Sequence, residues 1–365
     1  MKQKMNDNEK KLKHREKNVL DLNGMTILVT GSPGFIGANL AERLLRTMKR
    51  GRVVSLDNLN DYYDPALKEY RLRSIEKTAE GSGAEHIFEK GSISDREFVE
   101  GVFERYRPEI VVHLAAQAGV RYSLERPDAY LESNVTGFFR ILEACRNSDG
   151  LKHLVFASSS SVYGDNQSVP FRVDKCDRPV SLYAATKKSD ELFAYTYARL
   201  FDIPITALRF FTVYGPAGRP DMFYYSAAEK LCAGKTISLY NYGRCKRDYT
   251  YVDDVTEGIR RVMQGAPKRG EEVPFEIYNI GKGSPEDLKE FVRILKEELI
   301  RAEVLPEDFD LPAHLEYTGM QPGDMEVTFA DTSALERDYG YKAHTDLRTG
   351  LGRFARWYRE YTTGK

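Results

Sequence analysis

The sequence predicts a doubly wound α/β fold, and three observations predict it. A short β-branched run at residues 25–30 breaks at glycine before a helical pattern over 38–46 and a second strand at 52–57. The break reads Gly31-Ser32-Pro33-Gly34-Phe35-Ile36-Gly37, a Gly-x-x-Gly-x-x-Gly turn between strand and helix. Strand patterns at 110–114, 153–157 and 205–209 then alternate with helical ones around 97–106, 135–147 and 183–201. Parallel strands joined by helices bury both faces of their sheet, so this rhythm describes a Rossmann-type doubly wound parallel sheet.

In chain order, residues 1–22 are rich in Lys, Glu and Asn and lack the apolar core of a signal peptide, so they read as a flexible charged tail. Residues 23–209 carry the alternation and form the dinucleotide-binding domain, with later excursions near 248–265. From Phe210 onward the rhythm turns irregular and rich in Gly and Pro. Residues 210–365 are therefore assigned mainly to a smaller C-terminal α/β substrate-binding domain, interleaved with the first.

The 365 residues are 41 % hydrophobic and 30 % charged with a formal net charge of −1, an ordinary globular composition. Near-neutral charge provides no general attraction to nucleic acid or to an anionic membrane surface. No apolar run approaches the roughly 20 residues of a membrane span. Cys145, Cys176, Cys232 and Cys245 show no Cys-x-x-Cys spacing, so neither a metal site nor a disulfide framework is expected, and a reducing cytoplasm fits.

Within the glycine turn, Gly31 permits the tight bend, Gly34 lets backbone approach a pyrophosphate, and Gly37 allows close helix–strand packing. The pyrophosphate would rest on the exposed N–H groups of the helix N-terminus, around Phe35 and Ile36. Asp57 closes the second strand just before Asn58, where a carboxylate accepts from both ribose hydroxyls and repels a 2′-phosphate. The expected cofactor is therefore NAD and not NADP. A plain turn aspartate is the alternative for Asp57.

The second informative stretch, Ala157-Ser158-Ser159-Ser160-Ser161-Val162-Tyr163-Gly164, is followed by Tyr183 and Lys187 on one helix face. A free tyrosine ionises near pH 10, so a phenolate base near pH 7 needs about 4 kcal/mol. An ammonium about 4 Å away, at an effective dielectric near 20, supplies about that much. A lone Tyr-x-x-x-Lys is most often a surface pair; coupled to the glycine turn and the serine-rich strand end, it reads as a hydride-transfer site.

These residues resemble the extended short-chain dehydrogenase/reductase family of nucleotide-sugar enzymes, over residues 25–361. Family-wide signals are TGSPGFIG, HLAA, SSVYG, YAATK and RDYTYVDD. Longer signals at 57–71, 115–123, 209–222 and 320–324 resemble the branch that epimerises UDP-glucuronate at C4. The resemblance implies a tightly held NAD, with Ile93, Leu114, Ala115 and Ala116 adding to its wall beside Tyr183 and Lys187. It implies that Tyr183 removes the O4 proton as C4 yields its hydride, that Lys187 holds the tyrosine and the nicotinamide ribose, and that Ser159 bridges to O4. The 4-keto sugar then swings about its diphosphate and is reduced on the opposite face. It also implies a homodimer formed by the Tyr183 helix and the Val102 region, with Leu192, Phe193, Tyr197 and Leu200 at the contact or else facing the chain's own sheet. Ser92 stands where relatives carry an adenine-binding Asp, which implies weaker cofactor binding.

Related dehydratases carry Thr-Asp-Glu before Val-Tyr-Gly, and related decarboxylases Thr-Ser-Glu; here Ser159-Ser160-Ser161 provides no acid. Ser160, Ser161 and Thr212 can instead donate to a sugar carboxylate and fix its plane against loss of CO₂. Arg219 is the nearby cation for orienting the sugar, unless it is spent on a loop salt bridge with Asp221. Arg121 is a further candidate for the sugar or diphosphate, Arg247 resembles the clamp on UDP phosphates, and Gln321 and Asp324 resemble uridine-ribose and phosphate contacts. His113 reads as a core histidine, and Asp253 and Asp254 as caps of the following helix. The open alternatives are a 4-epimerase of neutral UDP-hexoses or UDP-N-acetylhexosamines, a UDP-glucuronate decarboxylase, a 4,6-dehydratase, and a silent NAD-sensing module. A silent module has no need of Ser159, Tyr183 and Lys187 together.

Overall fold

A computed structural model describes residues 17–166, 168–174, 178–270, 272–320 and 325–364. The first half runs β1 (Lys17–Val19), β2 (Thr26–Thr30), α1 (Phe35–Thr47), β3 (Arg52–Asp57), α2 (Pro65–Glu80), β4 (Glu85–Lys90), α3 (Arg96–Tyr106) and β5 (Ile110–His113). Short helices α4 (Tyr122–Glu125) and α5 (Pro127–Tyr130) lead through a π-helical stretch, Leu131–Gly137, into α6 (Phe138–Arg146). Then come β6 (His153–Ser159), α7 (Leu182–Phe201) and β7 (Ile205–Phe210).

Seven parallel strands form the central sheet, in the order β13-β7-β6-β5-β2-β3-β4, where β13 is Phe275–Ile280. The chain steps outward from β2 to β3 and β4, then returns to lay β5 on the other side of β2. That reversal opens a crevice at the carboxyl ends of β2 and β5, where such sheets bind ligands. Ile27, Val29 and Val53 pack into one core with Leu40, Leu44 and Ile259, while Leu28, Val54 and Val111 pack into the other with Phe138, Leu142 and Ala194. Strands buried on both faces become continuous apolar runs, which is why β2, β5 and β6 stand out in the sequence.

The C-terminal part contributes β8 (Thr212–Tyr214), α8 (Phe223–Cys232), β9 (Ile237–Leu239), β10 (Lys246–Arg247), β11 (Tyr249–Tyr251), α9 (Val252–Met263) and β12 (Gly265–Pro267). After β13 follow β14 (Glu286–Asp287), α10 (Leu288–Arg301), β15 (Leu315–Tyr317), α11 (Ser333–Tyr339) and α12 (Leu347–Thr363). The small strands pair as β8 with β11, β9 with β15 and β10 with β14, each a two-stranded sheet separate from the central one.

Three expectations need correction. The central sheet takes its seventh strand from 275–280, well beyond the excursion expected near 248–265. The expected tail of 1–22 is ordered from Lys17 on: β1 pairs antiparallel with β12, and Leu22 is buried, while residues 1–16 lie outside the described set. Tyr251, not an aspartate, is the N-cap of α9; Asp254 accepts instead from the N–H groups of His344 and Thr345 at 3.2 and 2.9 Å, and Asp253 pairs with Arg353.

Lys17 explains the ordered strand. Its buried ammonium meets the Glu276 carboxylate, bonds Tyr278 Oη at 2.9 Å, and faces the Tyr278 and Tyr339 rings at 5.4 and 5.2 Å. Lys17→Met would leave the Glu276 carboxylate buried without this ion partner. Urea unfolding should show a loss of ~3 kcal/mol; an unchanged midpoint would mean that the clasp contributes nothing.

Candidate active site

At the crevice lies a cavity of about 490 Å³ whose wall includes the glycine turn, the ends of β3, β5 and β6, and the first turns of α7. Gly31 adopts φ +70°, and its N–H donates to Leu56 O at 2.7 Å, folding the turn against β3. A Cβ on Gly37 would sit 2.2 Å from Gly31 O, so only glycine allows α1 to start this close to β2. Helix α1 has Gly34 as its N-cap, no side-chain cap and no acid in its first turn, which leaves its leading N–H groups open to an anion.

Asp57 ends β3 in the cavity wall and accepts from Leu59 N at 2.7 Å. Burial pushes its carboxyl above the usual range, with Lys68 pulling it back. Asn58, Ile93, Leu114, Ala115 and Ala116 line the same cavity, and so does Ser92, whose Oγ is engaged with Ser94 Oγ at 2.8 Å. A cradle that a single Cβ would fill, an uncapped helix start and a carboxylate beyond it fit a dinucleotide.

Strand β6 delivers Ser159 to the cavity. Its Oγ accepts from Ser161 N at 3.1 Å, capping the turn Ser160–Tyr163 and leaving the hydroxyl proton available to donate. Ser181 caps α7 by accepting from Ala184 N at 3.1 Å, which sets Tyr183 in the first turn and Lys187 one turn later. Tyr183 packs edge-on to Tyr130, with ring centroids 6.1 Å apart. Lys187 is 3 % exposed, and its Nζ donates to Asp190 Oδ2 at 3.2 Å. Burial pushes the Asp190 carboxyl up to about 7, with Lys187 opposing. His113 bonds Thr30 Oγ1 through Nδ1 at 2.8 Å, and burial, reinforced by Lys187, pushes it down to about 3. It stays neutral and core-like, although Nε2 has no partner among the described residues.

Ser160, Ser161, Thr212 and Arg219 join the same wall, so the structure brings dinucleotide, catalytic and sugar candidates into one space. Arg219 is both a cavity residue and a loop ion pair: Nε and Nη2 donate to the two Asp221 oxygens at 2.9 and 2.6 Å. Tyr62 Oη donates to Asp221 Oδ2 at 3.2 Å, and burial, then Asp221, push this phenol up to about 12. Arg121 sits instead against the Tyr240 ring at 5.0 Å, and Arg247 Nη1 donates to the carbonyls of Lys246 and Glu326; neither lines the cavity. Gln321 and Asp324 lie outside the described residues.

Sequence reasoning missed Tyr62, Lys68 and Arg71, although all three fall in the 57–71 signature. Tyr62 and Lys68 line the cavity. Arg71 is fully buried and donates to Ala217 O at 2.8 Å, Gly218 O at 2.9 Å, Pro33 O at 3.1 Å and Tyr63 Oη at 2.6 Å. One guanidinium thus ties the glycine turn to the loop that carries Arg219.

Residues 27–281 match the NAD dependent epimerase/dehydratase family. UDP-glucuronate 4-epimerase 4 of Arabidopsis thaliana is 41 % identical over 355 residues, covering 94 % of this chain and 77 % of the relative. The structure of a UDP-glucuronic acid 4-epimerase from Bacillus cereus, in complex with UDP-glucuronic acid and NAD, superposes with a TM-score of 0.79 at 28 % identity, covering 92 % of this chain and all of that one. A UDP-glucose 4-epimerase from Thermotoga maritima, solved with UDP-glucose, gives 0.78 at 28 % identity, covering 93 % of this chain and all of that one.

The Gly37 contact yields a direct test. Its Cβ would meet backbone, which cannot rotate away, so Gly37→Ala should cut the NAD retained on purification at least ~tenfold. Full NAD content, read by absorbance after denaturation, would show that the turn is not the cofactor cradle.

Proposed function

The chain belongs to the NAD dependent epimerase/dehydratase family, and we propose that it interconverts UDP-glucuronate and UDP-galacturonate by epimerisation at C4. The observation that carries the reading is the convergence of Ser159, Tyr183 and Lys187 with the glycine turn and a serine–threonine sugar wall in one cavity. NAD⁺ held on the α1 N-terminus, Asp57 and the Ala115–Ala116 wall supplies a hydride acceptor for C4 and, once reduced, the donor that restores it.

The protein's own groups handle the proton and the pose. Tyr183 takes the O4 proton during oxidation and returns it during reduction, which is general base and then general acid work by one side chain. Lys187, buried one helical turn along α7, lowers the cost of the phenolate through its ammonium. Ser159 keeps its hydroxyl proton free and donates to O4. The 4-keto uronate is a β-keto acid and loses CO₂ when its carboxylate bond stands across the carbonyl plane. Ser160, Ser161 and Thr212 hold that carboxylate in plane, and residues 159–161 offer no acid for dehydratase or decarboxylase chemistry.

A neutral UDP-hexose is the second reading, favoured by one observation: Asp221 already occupies two donor sites of Arg219. The assembly is proposed as a homodimer through α7, since Leu192, Phe193 and Leu200 are 58, 38 and 66 % exposed and therefore do not face the chain's own sheet; Val102, expected at the same contact, is instead fully buried, and Tyr197 packs partly buried against the core. Its product, a UDP-activated uronate, suits a glycosyltransferase of polysaccharide assembly, and the free Cys145, Cys232 and Cys245 suit the cytoplasm.

Incubation with UDP-glucuronate, followed by NMR, should bring UDP-galacturonate to a constant ratio without net reduction of NAD. Tyr183→Phe should lower kcat by ~10²–10⁴-fold, and Ser161→Ala or Thr212→Ala should raise the share of UDP-pentose. Turnover of UDP-glucose alone would install the neutral-hexose reading instead. In sedimentation the protein should run as a dimer that Leu192→Glu separates; a wild-type monomer would end the dimer proposal.

A further inference from the structure

Two adjacent acids on α7 are held in opposite ways. Glu191 is saturated: Arg209 donates to both its oxygens at 2.8 Å, Ser158 Oγ donates at 2.6 Å, and Lys188 Nζ lies 3.0 Å away. Asp190 is fully buried; among the described residues it has one ion partner, Lys187 Nζ at 3.2 Å from Oδ2, and Oδ1 has no hydrogen-bond partner. Asp190 does not line the cavity, whereas Lys187 does.

A buried carboxylate with half its acceptors unused is a poor device for stability, because desolvating two charges costs more than a single contact returns. It is a good device for locating an ammonium. Lysine ends in a point charge on four rotatable bonds, and its charge is easily lost on burial. A carboxylate one helical turn along limits where Nζ can go and favours its protonated form.

We infer that Asp190 is the positioning residue for Lys187: its buried carboxylate anchors the ammonium beside Tyr183 and keeps it charged as the pH rises. The inference rests on the reading of Lys187 as the partner of Tyr183 and extends it to a residue outside the cavity. The surrounding groups leave this role to Asp190. Glu191 is matched by Arg209 and Lys188; His113, on β5, is neutral; Asn134 and Thr186, bonded to each other at 3.0 Å, carry no charge. Glu132, from the π-helical stretch, is exposed and accepts from Ser94 Oγ at 3.1 Å. Tyr130 and Arg219 also interact electrostatically with Tyr183.

The sign of the pH effect follows. Burial raises the Asp190 carboxyl, so its charge is present on the alkaline side and lost as the pH falls. Asp190→Asn keeps the shape and one acceptor but removes the charge. The alkaline limb of kcat should therefore move to lower pH by about one unit, ~tenfold in rate at the alkaline end, while the acid limb stays in place. Superposed profiles would overturn the assignment. A second measurement needs no turnover: thermal midpoints of Asp190→Asn, Lys187→Met and the double variant. Asp190→Asn should lower the midpoint in the wild-type background and not in Lys187→Met; equal losses in both would sink the inference. If Asp190→Asn alone does not fold, recovery of folding in the double variant supports it, and failure of both refutes it. A coupled pair in a protein that leaves UDP-glucuronate untouched would uphold Asp190 and dismiss only the substrate reading.

Discussion

The active cleft depends on where the chain changes direction around β2. With β3 on one side of β2 and β5 on the other, the connections leave that strand toward opposite faces, and no helix crosses the gap above its carboxyl end. The glycine turn drops into this gap, and the ends of β3, β5 and β6 form its rim. Cofactor cradle, phenol and serine hydroxyl share one cavity because all of them ride on strand ends or on the helix starts beside them. A one-residue change of register at β6 would point Ser159 to the other face of the sheet.

Two of the cavity's cations share a pattern that Lys68, bonded to Asn60, does not follow. Lys187 is paired with Asp190 from behind, and Arg219 with Asp221 from the side. Each pair leaves the cation in the wall while reducing the net charge that an incoming diphosphate sugar meets. A site built in this way relies on directed hydrogen bonds more than on bulk positive potential, consistent with a chain whose formal net charge is only −1.

What the sequence disclosed follows from burial. Strands β2, β5 and β6 are covered on both faces, so their residues form largely apolar runs, and β7 keeps an apolar majority around buried Thr206 and Arg209. Strand β4 reads Glu-His-Ile-Phe-Glu-Lys, a half-exposed edge strand whose charged ends mask it, and it went unrecognised together with α2 before it. Strand β13 was hidden for a different reason: it comes after the irregular region and joins the sheet through pairing with β7, a long-range fact. Lys17 lay in a run of like polar residues, and only the Tyr278–Glu276 pocket distinguishes it. Among site residues, the glycines, Asp57, Ser159, Tyr183 and Lys187 carry local spacing signals. Tyr62 and Arg71 act across the fold, on partners such as Asp221 and Gly218 about 150 positions away, which no local pattern encodes.

Arg71 gives the two halves of the site a common equilibrium. Its guanidinium holds Pro33 O in the glycine turn and Ala217 O and Gly218 O in the loop that carries Arg219. Withdrawing either loop strands a buried charge, so neither can loosen at the cost of its own contacts alone. Order imposed on one loop is order lent to the other, and thermodynamic reciprocity makes the loan equal in both directions. The glycine turn and the loop that carries Arg219 are thus coupled through a single side chain bonded to both.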